Sequence, residues 1–174
     1  MTRSEQKSSP NDPGTGAQTG LHVVTATLAE LDALAVLFDA YRQFYGHPAS
    51  LGAARDYLEA RICGDESVVL LAVNGGRPVG FSQLYPSFCS LDLSRIFVLY
   101  DLFVDPSARR LGVARALLAA AERHGRAAGA SRLELSTAWS NTEAQALYEA
   151  DGWMPDSTYR HYELPLVPPA VSER

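Results

Sequence analysis

Lysine is almost missing from this chain of 174 residues: Lys7 is the only one, and every other cationic side chain apart from the histidines is an arginine. Lys7 sits in the polar leader, so the body of the chain has no lysine for a phosphate-binding P-loop, a Schiff base or a pyridoxal group. Cysteine is scarce too. Cys63 and Cys89 are far apart and fit no metal spacing, so they read as small buried hydrophobes of a reducing compartment. The histidines, His22, His47, His124 and His161, are equally scattered, and no metal site is expected. No apolar run approaches the roughly 20 residues that span a bilayer. The first residues also lack the apolar core of a signal peptide, so the expectation is a cytoplasmic chain with no membrane partner. Excess positive charge is absent as well. A formal charge of −5 and a pI near 5.3 disfavour nucleic acid, and agree weakly with a cationic ligand.

What is present is enough for one core: 47% of residues are hydrophobic and 20% charged. Residues 1–20 are polar and read as a disordered leader, 21–165 as the domain and 166–174 as a short tail. Within the domain Leu21 to Ala26 reads as a strand, followed by a T-x-x-E capping box at Thr27 and Glu30. Two amphipathic helices come next, one with Leu31, Leu34, Ala35, Phe38, Tyr41 and Tyr45 on one face, the other over 49–62. Ser67 to Val73 and Pro78 to Tyr85 form a hairpin through Asn74, Gly75 and Gly76, and Pro86 to Ser94 reads as a loop. Arg95 to Val104 is the most apolar strand, which predicts a central place covered on both faces. A helix over 111–128, a strand from Arg132 to Thr137, a helix from Thr142 capped by Asn141 and a strand from Thr158 to Leu164 complete the pattern. The order β, α, α, β, β, β, α, β, α, β predicts an α/β fold: one mixed sheet with helices on both faces.

The sharpest signal lies where the central strand turns into its helix. Leu102, Phe103, Val104, Asp105 and Pro106 end the strand; Arg109, Arg110, Leu111, Gly112, Val113, Ala114 and Arg115 open the helix. A helix N-terminus carries unpaired N–H groups and partial positive charge. Two arginines and a glycine without a side chain make such a place suitable for a pyrophosphate, although arginine-rich turns also cap helices that bind nothing.

The context favours the ligand. Arg109-x-x-Gly112-x-Ala114, after a strand ending in V-x-P, resembles the R/Q-x-x-G-x-G/A signature of the GCN5-related N-acetyltransferase (GNAT) family. Asn141-x-x-Ala144-x-x-Leu147-Tyr148, closed by Gly152 and Trp153, resembles that family's second motif. The resemblance runs from Val68 to Leu164, and the D-L-F-V strand end is most similar to the polyamine and the histone-or-amino-acid acetyltransferase branches. It implies a splayed sheet and acetyl-CoA as co-substrate without metal. The pantetheine arm would lie along Leu102, Phe103 and Val104, and the pyrophosphate on the amides of Arg110 to Arg115. Asn141 and Ala144 would flank the far side. It also implies a small-molecule amine as partner; a homodimer is in keeping with the family, but no residue pattern specifies it.

Acetyl transfer needs a neutral amine. With a pKa near 10.4, about one lysine-like amine in a few thousand is neutral at pH 7, a deficit of ~4–5 kcal/mol. The resemblance makes Tyr148 the acid for the departing thiolate, against the plainer reading of an amphipathic packing residue. The N–H of Leu102 is the expected oxyanion donor. For the base the polyamine enzymes offer no guide, since Tyr100 stands where they carry a glutamate. Asp101, the only charge in its apolar stretch, is then a base acting through water, a binder of the substrate ammonium, or a structurally paired acid; Glu134 is a lesser candidate. The first two helices and the Pro86 to Ser94 loop would wall the acceptor pocket, with Tyr41, Phe44, Tyr45, Tyr85 and Phe88 as its aromatic lining. His47 reads as a helix-end residue, Trp139 and Trp153 as packing. The rival readings are an acyl-CoA-binding sensor without catalysis, a protein lysine acetyltransferase, and an enzyme for longer acyl groups.

Overall fold

The computed structural model describes residues 20–166; the expected leader and tail fall almost wholly outside them. The described residues divide into two compact units between Ser136 and Thr137.

The first unit is built on five strands in chain order: β1 (His22–Thr25), β2 (Val68–Asn74), β3 (Arg77–Cys89), β4 (Ser94–Val104) and β5 (Arg132–Glu134). The first four pair antiparallel and β5 pairs parallel to β4. The sheet is therefore mixed, as the element order predicts. The β2–β3 turn is the expected tight hairpin: Asn74 pairs with Arg77, and Gly75 and Gly76 both take positive φ, at 56° and 78°, the twist-matched turn that favours glycine at both positions.

Helices cover both faces. On one lie α1 (Leu31–Phe44) and α2 (Leu51–Cys63). Glu30 reaches back to the Thr27 amide at 2.8 Å, while the Thr27 hydroxyl accepts from the Ala29 amide; α1 thus starts after the expected capping box, not within it. Leu31, Leu34, Ala35 and Phe38 of α1, Ala54 and Leu58 of α2, and Phe81 and Phe103 of the sheet share one buried cluster. Asp39 joins the helices: its carboxylate accepts from the Gln43 amide group at 2.9 Å and from the backbone N–H of Ser50, which opens α2, at 2.8 Å. The other face carries α3 (Val113–Ala127), with Val113, Leu117, Leu118, Ala120 and Ala121 inward. It lies close because two glycines leave room. A Cβ on Gly80 would come within 3.1 Å of Val113, and one on Gly125 within 2.9 Å of Leu133. Gly80 and Phe81 are neighbours on β3, so α3, which touches the first, and α1, which packs on the second, lie on opposite faces.

Several expectations are corrected. The Pro86–Ser94 stretch is not a loop: β3 runs to Cys89, β4 begins at Ser94, and only Ser90–Leu93 turns. Pro86 is tolerated because β2 ends its pairing at Leu84, which leaves β3 there with an edge that no strand pairs among the described residues. The strand expected over Arg132–Thr137 stops at Glu134. Neither cysteine is buried, since Cys63 ends α2 and Cys89 ends β3.

In the second unit, α4 (Thr142–Ala150) is capped as predicted, the Asn141 side chain accepting from the Ala144 amide at 3.3 Å. The strand expected over Thr158–Leu164 does not form. Its alternating aromatics supply a side-chain pattern, but a strand also needs a partner edge. Instead, Asp156 accepts from the Thr158 and Tyr159 amides, which turns the chain. Trp139, expected to pack, is 96% exposed, whereas Trp153 is half-buried with its ring centroid 6.1 Å from that of Tyr148.

Candidate active site

Along β4 the ladder with β3 is interrupted. Gln83 pairs with Asp101, but the next β3 residue, Leu84, pairs with Leu99, so Tyr100 is an extra residue, a β-bulge. Pairing with β5 is shorter still, covering only Ile96, Phe97 and Val98. From Leu99 to Val104 the outer edge of β4 has no strand partner among the described residues. Leu102, Phe103 and Val104, the expected pantetheine partners, lie on this open edge.

The strand end is firmly tied. Asp105 accepts from the Ser107 amide at 2.8 Å and from Arg77 at 3.3 Å, and these donors, Ser107 above all, hold its carboxyl below the ordinary carboxylate range. One 3-10 turn at Pro106–Ala108 follows. Arg110 then takes φ 65° and Gly112 φ 80°. Two left-handed residues around Leu111 bend the chain sharply into α3, and the second position favours glycine. Gly112 is the N-cap of α3 and gives its amides no side-chain acceptor. A Cβ built on it would meet nothing within 4 Å. An uncapped helix N-terminus facing open space fits a diphosphate, and the open β4 edge fits an amide-bearing arm. The Arg109 guanidinium lies 5.9 Å from the centroid of the Phe44 ring. Asn141, Ala144 and Tyr148 belong to the second unit, where the Asn141 side chain is engaged in capping.

On the α1 side the bulge places Asp101 at a cavity of about 450 Å³. Phe38 and Tyr41 from α1, Tyr45 at its C-cap and Tyr57 from α2 supply its rings, with Tyr100 from the bulge. Asp101 is 6% exposed. Burial raises its pKa to about 6, and a hydrogen bond from the Tyr41 hydroxyl pulls only partly the other way. Burial first, and then the charge of Asp101, push the Tyr41 phenol upward, so it stays protonated and donates. Of the expected lining, Tyr41 and Tyr45 are in place. Tyr85 stands behind it, bonded to the Tyr57 hydroxyl at 2.6 Å and edge-on to Tyr100, while Phe44 and Phe88 are exposed. Glu134 is paired with Arg132 at 2.8 Å. The sequence reading missed Arg42, Tyr57 and Tyr100 as lining residues and set His47 aside; all four face the cavity. The helical spacing of Tyr57 behind Leu58 placed it on no recognised face, and no local pattern announces a bulge.

A sequence profile of the acetyltransferase (GNAT) family matches residues 34–153. An uncharacterised N-acetyltransferase of Bacillus subtilis, YhfO, is 40% identical over 144 residues, covering 83% of this chain and 97% of its own. A crystal structure of a probable acetyltransferase superposes with a TM-score of 0.80 at 42% identity, over 84% of this chain and 98% of that one. An aminoglycoside N(6')-acetyltransferase type 1 of Salmonella typhimurium is 32% identical over 115 residues, 62% of this chain and 75% of the relative. A mixed sheet whose fourth strand, β4, keeps an open edge beside an uncapped helix N-terminus accords with an acyl-CoA-dependent transferase. The chain belongs to the GNAT family, whose members use acetyl-CoA as co-substrate, and it is an N-acetyltransferase.

Proposed function

We propose that the enzyme acetylates the primary amine of a small molecule by direct attack in a ternary complex. The observation that carries this is the cavity of about 450 Å³ with a buried carboxylate among aromatic rings. Its size is that of a small-molecule site, and rings around a carboxylate favour an ammonium group. The aminoglycoside acetyltransferases among the relatives are consistent with a small amine as acceptor.

Acetyl-CoA is bound with its diphosphate on the Arg110–Arg115 turn and its arm along Leu102 to Val104. Asp101 receives the ammonium and takes its first proton, directly or through water. The freed nitrogen lone pair attacks the thioester carbonyl carbon, and a backbone N–H of β4, that of Leu102, steadies the oxyanion. As the C–S bond breaks, the nitrogen's second proton passes to solvent water and the thiolate receives one from Tyr148, which regains its proton from water, leaving an amide and free CoA. With a pKa near 6, Asp101 is ionised at neutral pH and able to do this.

The test is to titrate acetyl-CoA calorimetrically and screen small amines for CoA release with a thiol reagent. Turnover of at least one amine class is expected. Tight acetyl-CoA binding with no turnover of any small amine would instead favour the sensor reading, or, if a lysine peptide alone were acetylated, a protein substrate.

A further inference from the structure

The cavity holds a second charge. Arg42, in the last turn of α1, lines it together with Asp101. Its Nη1 is buried, and among the described residues it has no hydrogen-bond partner and no carboxylate lies within ion-pair distance of its guanidinium. The arginines of the neighbouring α2 are matched locally: Arg55 bridges Asp32 and Glu59, and Arg61 pairs with Glu66. Arg42 and Asp101 line one half-open cavity yet form no ion pair with each other. A partly desolvated cation without a counter-ion is unfavourable, and the C-terminal end of α1 compensates it only in part.

The geometry points to an acceptor that carries both charges: a small amino acid-like molecule whose ammonium meets Asp101 and whose carboxylate meets Arg42. The planar guanidinium matches a carboxylate with two parallel hydrogen bonds. This rests on the acetyl-transfer reading above and narrows it. A polycationic acceptor, such as a polyamine or an aminoglycoside, would bring further positive charge against Arg42 and is disfavoured. Arg42 is in this sense the residue that sets specificity, while Asp101 handles the proton.

The experiment measures kcat/KM for matched pairs of acceptors, amino acids and the amines left when their carboxylates are removed, with spermidine as a polycation. Wild-type enzyme is expected to favour the acid of a pair by about 10–100-fold, the range set by a charge-assisted hydrogen bond. Arg42→Gln should bring that ratio close to one, Arg42→Lys should keep part of it, and Arg123→Gln, on the exposed face of α3, should keep all of it. Because each ratio is taken within one preparation, partial unfolding of a variant cancels. Equal or better use of the decarboxylated amines or spermidine by wild type would overturn the inference while leaving acetyl transfer intact. So would an Arg42→Gln enzyme with an unchanged ratio and a raised KM for acetyl-CoA, which would assign the cation to the co-substrate. Failure to acetylate any acceptor would instead sink the acetyl-transfer reading, and this inference with it.

Discussion

Asp101→Asn removes a carboxylate that folding places at odds with its surroundings. Its pKa rises from 3.8 to about 6, chiefly through burial, and at 1.36 kcal/mol per pH unit the charged form costs the fold ~3 kcal/mol. Below about pH 3 the carboxyl is largely neutral in both folded and unfolded chains, and the cost is nearly absent. As pH rises, the unfolded chain ionises first, so stability falls through the interval up to about pH 6 and levels off above it. Asparagine does not titrate, and its carbonyl still accepts from Tyr41. The gap in stability between variant and wild type should therefore move by ~3 kcal/mol in favour of the variant between about pH 3 and pH 8. With an m-value of about 2 kcal/mol/M, that is a relative shift of about 1.5 M in the urea midpoint. The same substitution should lower kcat/KM by about 10²–10⁴-fold and abolish an acidic limb centred near pH 6 in the wild-type pH–rate profile. A stability gap constant to within about 0.5 kcal/mol over this range would refute the argument, because it would mean that Asp101 ionises as freely folded as unfolded.

Gly112→Ala should destabilise the protein by ~1–2 kcal/mol, since its φ of 80° suits glycine, and should raise the Kd for acetyl-CoA in calorimetry. Phe81→Ala, at a fully buried ring packed on Phe38, Tyr41 and Phe103, should cost ~3–5 kcal/mol in denaturant unfolding. Tyr148→Phe should lower kcat by about 10-fold or more with little change in KM for acetyl-CoA; unchanged turnover at every pH would remove the tyrosine from the acid role.

Much of this was legible because period and punctuation agreed. The Asn-Gly-Gly hairpin, the Asn141 cap, the Gly112 turn and the inward face of α3 all follow from local chemistry that tertiary contacts reinforce. Illegible features were those set by a partner elsewhere in the chain. Pro86 breaks a strand only where both edges are paired, and nothing local says that β2 has already ended. The Thr158–Leu164 alternation looks like a strand, but no edge in the second unit receives it. Tyr57 entered the pocket through α2's angle across α1, fixed by Asp39 eleven residues before Ser50 in the chain. The unmatched charge of Arg42 was invisible for the same reason: in sequence it is one arginine among many, and only the folded cavity shows that no carboxylate answers it.

The extra residue at Tyr100 also decides handedness of reach along β4. Phe97 packs on His124 of α3, whereas Phe103 packs on Tyr41 of α1, although an even number of steps separates them and strict alternation would turn both to one side. The inserted residue resets the parity. Were Tyr100 paired in the ladder and not bulged out of it, strict alternation would turn Asp101 and Phe103 beneath α3, so that the acceptor chamber would keep its walls and lose its acid: here a one-residue irregularity in the sheet, and not any side chain, chooses which side of the molecule can do chemistry.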